Sequence, residues 1–567
     1  MKEKTGNSPL VIEKSQPAII QGKSLSPGLV KGLIHIHQGI LGPIDAPENS
    51  DKNSYRQYDK EEELSRLDVA TASISDDLFV LAERVEKEID ARLSEVFGAH
   101  QLMVNDAALR LELRKEIIEN MVSASSAVKT VFLRWEKRFL LMESQIARDK
   151  GDDMRDLSIR LHNALAGITV HPLDNIPDAC VLATSRLLPS DTIFLATRSV
   201  SAVLMEYGSV GSHAALFARE IGLPAISGFA DLFNSVSDGA LALVDADAGL
   251  VTLRPSLSQT QLFQEKADNK SRALQMALKY AQRPAVTKDG ETISVFANVG
   301  CREDTERAMF NGAEGIGLYR IEQAYLGRST PPSREELVNE MRETLAAAKG
   351  RSVCVRLLDI GADKPLPFLG FLAETNPALG RRGIRLLREY PELLKTQVLA
   401  VLDLAQEFDL CVLIPMVTLA EDTLMVKNMF LELGAAHPVL SLPKLGAMIE
   451  TPAAALSAKE ISEHVDFLSF GSNDLTQYTF AADRENAAVE SYFNDASQVI
   501  FRLLEITHDD VPNVPLSLCG ELAGRPEHIA RLLQCGIRTL SVAAPLIPQV
   551  KEAIRDCICA KAVTPQN

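Results

Sequence analysis

The sequence predicts an α/β multidomain protein: an α/β domain carrying an inserted helical bundle, followed by a (β/α)8 barrel. Three observations predict it. Apolar strand-like runs recur through the C-terminal half with helical segments between most of them. A long proline-free stretch in the N-terminal half carries apolar residues at helical spacing. Short apolar runs separated by turns flank that stretch on both sides, so the helices read as an insertion.

At 567 residues the chain exceeds what one hydrophobic core supports, and two to four domains are expected. The 46% hydrophobic and 24% charged content is that of a water-soluble globular protein. Acidic residues outnumber basic ones by 76 to 59, a net charge of −17, which leaves no electrostatic footprint for a nucleic acid. The N-terminus, MKEKTGNSPLVIEKSQ, has no signal-peptide core, and no apolar run approaches a membrane span. Of the eight scattered cysteines only Cys557 and Cys559 are close, with no nearby histidine to complete a zinc site. The reading is a cytoplasmic protein with reduced thiols and no membrane insertion.

Residues 1–18 read as a flexible N-terminal tail. From about Pro17 to Gly39 apolar and polar residues alternate around the turn signal SPG at Ser26–Gly28, which predicts a small strand pair. Residues 59–166 form the helical insertion, and residues 19–58 and 167–255 together make the α/β domain. Residues 256–284 are polar, helical and almost free of turn residues, a helical linker. Residues 285–567 form the barrel, whose strands are expected in TISVFANVG, GIGLYR, VCVRLLDIG, RGIRLL, VLIPMV, LGAMIET, FLSFGSND and LSLCGEL.

Several of these runs end in a polar group: Asn298, Arg320, Arg356 with Asp359, Glu450, Asn473 with Asp474, and Cys519. In a (β/α)8 barrel the strand C-termini converge on one face, where chemistry is built. Glu450 and Asp474 end two successive strands and can reach one divalent cation, and Mg2+ takes one or two protein carboxylates while leaving places for substrate oxygens. Arg320, Arg356 and Arg484 supply planar, permanently charged donors for phosphate and carboxylate. The combination describes a site for a small, multiply negative molecule and stabilises charge developed in phosphoryl transfer. Cys519 reads equally as a proton donor or as a packed barrel cysteine.

His213, in GSVGSHAALFARE, stands where Ser212 can cap a helix starting near Ala214. The positive end of the helix dipole disfavours the imidazolium, leaving a neutral nitrogen available as nucleophile, and the same amides favour an attached phosphate. An ordinary helix-start histidine with one hydrogen bond fits the local sequence too, and residues 208–220 alone do not separate the two.

The segments GAEGIGLYRIE, VRLLDIGADKPLPFL, NPALGRRGIRLL, MIETPAAAL, GSNDLTQYTFAADR and LCGELAG resemble the barrel motifs of the phosphoenolpyruvate–protein phosphotransferases, the Enzyme I family of the bacterial sugar phosphotransferase system. SPGLVKG, LPSDT and GSHAALFAREIGLPAISG resemble that family's swivelling phosphohistidine domain, and FGAHQLMVND and DKGDDMRDL its helical insertion more weakly. The resemblance implies that phosphoenolpyruvate binds in the barrel with Mg2+ on Glu450 and Asp474, and with Arg320, Arg356, Arg484 and the Asn473 region on its phosphate and carboxylate. It implies further that His213 takes the phosphoryl group and that Cys519 protonates the departing enolate to pyruvate. The group would then pass to a small histidine-containing phosphocarrier protein docked on the helical insertion. The barrel would also make a homodimer.

The turn before His213 departs from the family pattern of Gly-Gly, a basic residue, Thr, Ser, His: here it is Gly208, Ser209, Val210, Gly211, Ser212. Leu188 stands where a threonine is expected before PSDT. Lost hydroxyls and a lost positive charge suggest a divergent paralogue with altered rate or partner. Two other readings compete. A relative of the pyruvate–water or pyruvate–phosphate dikinases would need a large ATP-binding module, and only about 20 residues precede the family match. A non-catalytic or weakly active paralogue acting as a carrier-binding regulator is the alternative from a different class.

Overall fold

The computed structural model describes residues 17–37, 59–88, 91–140, 145–168, 173, 176–196, 199–208, 213–326, 328–361, 366–369, 374, 376–439, 441–483 and 489–559. The chain divides into two compact units, Met1–Asn269 and Lys270–Asn567.

The first unit is built on eight strands: β1 (Ala18–Gln21), β2 (Lys23–Ser26), β3 (Leu29–His37), β4 (Val181–Thr184), β5 (Ala202–Met205), β6 (Ala225–Ser227), β7 (Leu241–Asp245) and β8 (Leu250–Leu253). They form one mixed sheet in the order β1-β8-β7-β3-β4-β5-β6-β2. The expected strand pair near the N-terminus is corrected here. Three strands lie there, and none pairs with another of the three: β1 joins β8, β2 joins β6, and β3 lies between β4 and β7. Alternation marks a strand but carries no information about its partner.

Five helices stand between β3 and β4: α1 (Lys60–Glu88), α2 (Ala91–Val104), α3 (Ala107–Asn120), α4 (Ala124–Leu140) and α5 (Gln145–Ala166). Their apolar stripes bury Leu78, Phe97, Val131 and Leu157 completely. Three short helices follow, α6 (Pro189–Ala196), α7 (His213–Glu220) and α8 (Leu232–Ser235). The α7 helix serves two cores at once. Ala215 and Ala218 pack with the sheet residues Val203 and Met205, while Phe217 enters the bundle core, its ring centroid 6.2 Å from that of Phe97. Small residues on one face and a phenylalanine on another thus fix the helix that His213 opens.

The helix α9 (Leu257–Lys279) leads from the first unit into the second, which begins with β9 (Ala285–Val286) and the barrel strands β10 (Thr292–Val299), β11 (Ile316–Arg320), β12 (Val353–Arg356), β13 (Leu410–Ile414), β14 (Lys444–Ile449), β15 (Phe467–Phe470), β16 (Leu516–Leu518) and β17 (Thr539–Ala543). From β10 to β17 each strand pairs in parallel with the next, and β17 pairs with β10 to close the barrel. Strands buried on both faces read as continuous apolar runs, which is why most of them are legible in sequence.

Two expectations change. RGIRLL is not a strand: Gly383, at φ +55, begins the helix Ile384–Glu389, whose Ile384 and Leu387 face the core. Six residues are too few to separate a period of two from 3.6. The eighth strand is instead Thr539–Ala543, interrupted by Ser541, whose hydroxyl donates to Asn298 Oδ1 at 2.7 Å inside the barrel.

The turn after α9 is held by the helix Ile547–Asp556. Buried Lys551 donates to the carbonyls of Ala281 (3.0 Å) and Arg283 (3.3 Å) and pairs with Glu314 at 2.8 Å. Arg555 donates to the carbonyls of Tyr280 and Arg283, each at 2.9 Å. Replacing Lys551 with Met leaves these acceptors without their donor, and urea unfolding of the second unit should show a loss of roughly 1–3 kcal/mol. An unchanged midpoint would show that water replaces the ammonium without cost.

Candidate active site

The C-terminal ends of the barrel strands place the polar residues. Arg320 ends β11 and Arg356 ends β12. Beyond β11 the chain turns through Glu322–Ala324, and Glu322 Oε1 accepts from Arg356 Nη2 at 2.7 Å and from the Asp359 amide at 3.1 Å. Asp359 Oδ2 takes Arg356 Nη1 at 2.9 Å. Burial works against the Arg356 charge, but the carboxylates of Glu322, Asp359 and Glu450 outweigh it and hold its pKa above the usual value. Burial likewise opposes ionisation of Asp359, and the Arg356 and Arg382 guanidinium groups reverse it, so this carboxyl stays below the ordinary range.

Arg382 joins the two sides of the site. Its Nε and Nη2 donate to Asp359 (3.3 and 3.0 Å), and its Nη1 and Nη2 to Asp474 (2.9 and 3.4 Å). Nη1 also donates to the Tyr478 hydroxyl at 3.2 Å. A guanidinium has five N–H donors, and each here has a partner. Asp474 is the third residue of the helix Ser472–Phe480, which opens directly after β15.

Glu450 follows β14, fully buried, and accepts from the amide of Met416, a residue in the left-handed region at φ +54. Gly471 leaves room for it, since a Cβ there would lie 2.8 Å from Glu450 Oε2. Burial, and then the negative charges of Asp474 and Asp359, push the Glu450 carboxyl up to about 8. Glu450 and Asp474 are the residues that can hold a divalent cation: two hard oxygen donors in a region of excess negative charge. Among the described residues no cluster of three or more histidine, cysteine or acidic ligands is arranged for a metal, so substrate and water would complete the shell.

Cys519 follows β16, buried, with its thiol 3.4 Å from the Phe470 carbonyl and 3.7 Å from the Ser469 hydroxyl. Burial pushes it up to about 11, so it carries its proton at neutral pH. Arg320 lies close enough for its charge to act on both Asp359 and Cys519. Asn473 Oδ1 accepts from the Glu521 amide at 3.0 Å, and Asn298 donates to the Cys519 carbonyl at 3.0 Å. Arg320, Arg356, Glu450, Asn473, Asp474 and Cys519 therefore gather at one end of the barrel. Arg484 lies outside the described residues. Sequence reasoning passed over Arg382 and Glu322. Arg382 lies in NPALGRRGIRLL beside Arg381, and spacing does not say which of the pair turns inward. Glu322, two residues after a strand-end arginine, was legible as a carboxylate near a guanidinium.

In the first unit, His213 is the first residue of α7; its side chain and residues 209–212 lie outside the described residues. The loop bearing Leu188 is described. Leu188 is buried, and its amide donates to Asp191 Oδ2 at 2.9 Å. Asp156 of α5 accepts from the Ser190 hydroxyl (2.6 Å) and amide (3.1 Å), joining the bundle to the start of α6. A cavity of about 820 Å³ lies between them, lined by His37, Arg66, Arg160, Arg186, Leu188 and Asp191 among others.

An α/β domain, a helical insertion and a barrel with acids and arginines at its strand ends define a phosphoenolpyruvate-utilising enzyme. Residues 275–559 match the family described as "PEP-utilising enzyme, PEP-binding domain", residues 21–150 its "N-terminal" domain, and residues 176–249 its "mobile domain". A Haloferax volcanii phosphoenolpyruvate-protein phosphotransferase is 34% identical over 508 residues, covering 88% of each chain. Proteins of the same name from Bacillus subtilis (32%, 86% of this chain and 87% of that one) and Mycoplasma pneumoniae (33%, 86% of each) are similar. The chain belongs to the phosphoenolpyruvate–protein phosphotransferase family.

The half-buried Asp191 carboxyl gives a pH prediction. Burial, helped by Asp156, raises it from 3.8 to about 7. A carboxyl whose folded pKa exceeds its unfolded value binds more protons when folded, so stability falls as pH rises between those values. Asp191→Asn keeps an acceptor for the Leu188 amide, so it should stabilise the first unit at pH 8 by roughly 1–3 kcal/mol and lose that advantage at pH 4. Thermal melts at the two pH values measure it, and equal differences at both would contradict it.

Proposed function

We propose that this protein transfers the phosphoryl group of phosphoenolpyruvate to its own His213, then to a histidine of a small phosphocarrier protein, releasing pyruvate. What carries the reading is the convergence of Arg356, Glu450, Asp474 and Cys519 at the open end of a barrel that belongs to this family. In the proposed step a His213 ring nitrogen attacks phosphorus, the N–P bond forms, and the bridging P–O bond breaks. The electron pair leaves on the enolate oxygen, and the Cys519 thiol proton goes to the methylene carbon to give pyruvate. A thiol pushed up to about 11 keeps that proton until a basic carbanion equivalent arises beside it.

Mg2+ fits the donor set. Glu450 and Asp474 would hold it, two oxygen donors whose negative charges act on one another in a buried setting. When bound, the ion supplies positive charge against the phosphate and enolate oxygens. Arg320, Arg356, Arg484 and Asn473 orient the substrate in this reading, while Arg382, with every donor committed, holds Asp359 and Asp474 in place. Residues 59–166 would receive the carrier, the barrel would form the homodimer, and the protein would work in the cytoplasm; among the described residues no helix is long and apolar enough to cross a membrane. The rival reading as a non-catalytic regulator is opposed by the complete set of acids and arginines in the barrel.

Incubation with phosphorus-labelled phosphoenolpyruvate and Mg2+ tests the proposal. Acid-labile label should appear on the wild type and be absent from His213→Ala, while Glu450→Gln should lower its rate of appearance by about a hundredfold or more. An unlabelled wild-type protein would remove the enzymatic reading. The turn at Ser209–Ser212 gives a second prediction. Restoring a basic residue and a hydroxyl with Val210→Arg and Gly211→Thr should speed transfer by about tenfold, and an unchanged rate would mean the turn does not set it.

A further inference from the structure

We infer that Glu322 is the positioning residue for Arg356: it binds no substrate itself but sets the direction in which that guanidinium faces the barrel mouth. The inference rests on the phosphotransfer reading above. Glu322 leaves the end of β11 and reaches across to β12, where one oxygen, Oε1, holds both Arg356 Nη2 (2.7 Å) and the Asp359 amide (3.1 Å). Asp359 grips the same guanidinium from the other side at 2.9 Å. Glu322 uses one hydrogen of Nη2 and Asp359 pairs with Nη1 by charge, which leaves guanidinium N–H groups for a ligand.

The rest of Glu322 argues against a packing role. Among the described residues its second oxygen is buried without a hydrogen-bond partner, as is Arg356 Nε. Keeping such atoms dry and unmatched is costly, and a buried ion pair is no more stabilising than apolar side chains of similar volume. Stability alone would not retain this carboxylate. Its orienting of Arg356 and of the Asp359 turn accounts for it.

Steady-state exchange of labelled pyruvate into phosphoenolpyruvate with Mg2+, which turns over with His213 as the only phosphoryl acceptor, tests the inference when read with thermal melts. Glu322→Ala should raise KM for phosphoenolpyruvate by about tenfold or more, with a smaller change in kcat. Glu322→Gln keeps an acceptor oxygen and should stay within about threefold of wild type. Glu322→Asp, too short to reach Arg356, should behave as the alanine variant and serves if that variant does not fold. In an Arg356→Lys background Glu322→Ala should add less than about a twofold change, because the group it orients is gone. Unmoved KM in the alanine and aspartate variants, or an undiminished penalty beside Arg356→Lys, overturns the inference. A wild type that exchanges no label overturns the phosphotransfer reading instead, and the two failures are distinct.

Discussion

The double grip of Arg382 on Asp359 and Asp474 is the interaction on which the rest of the barrel site depends. Asp359 follows β12 and Asp474 opens the helix after β15, so a single guanidinium spans the mouth of the barrel. Its planar fork matches a carboxylate on each side, which an ammonium would not. Through Asp359 the same grip reaches Arg356, and through Arg356 it reaches Glu322. Through Asp474 it bears on Glu450, whose carboxyl in turn holds the Met416 turn at the end of β13. Loosening Arg382 would release groups at the ends of five strands.

The charges of this network explain its chemistry. Glu322, Asp359, Glu450 and Asp474 face Arg320, Arg356 and Arg382, four acids against three bases in a buried region. Burial first, and then the negative charges of Asp474 and Asp359, push the Glu450 carboxyl upward. In the proposed reaction this charge balance would suit a divalent cation and, with it, an anion of several charges. Cys519 sits beside this field but in the apolar layer with Leu318, Leu413 and Met448, and burial rather than charge decides that it remains a thiol.

Much of this was legible in the sequence, for a physical reason. Seven barrel strands read as mainly apolar runs, and Arg320, Arg356, Glu450 and Cys519 stand at or just beyond their ends. What was missed depends on direction, which composition does not encode. Ser541 faces inward to bond Asn298, and a five-residue run broken by it is too short to announce a strand. Arg381 and Arg382 are adjacent, yet Arg381 turns out to Glu374 and Glu389 while Arg382 turns in. The strand partners of β1, β2 and β3 lie about 150 residues or more away in sequence, beyond the reach of local pattern.

The pairing of β10 with β17 has a consequence for synthesis of the chain. Asn298 and Ser541, hydrogen-bonded within the closed barrel, are 243 residues apart. Contacts so distant form late, because loop-closure entropy must be overcome before they reward the chain. Until the closing strand has emerged from the ribosome, both β10 and β16 present unpaired edges able to template intermolecular sheets. The first unit has no such wait, since all its strands precede α9. A nascent chain of this protein therefore carries a finished N-terminal half for a long interval beside an open, aggregation-prone barrel, and shelter by chaperones matters most in that interval.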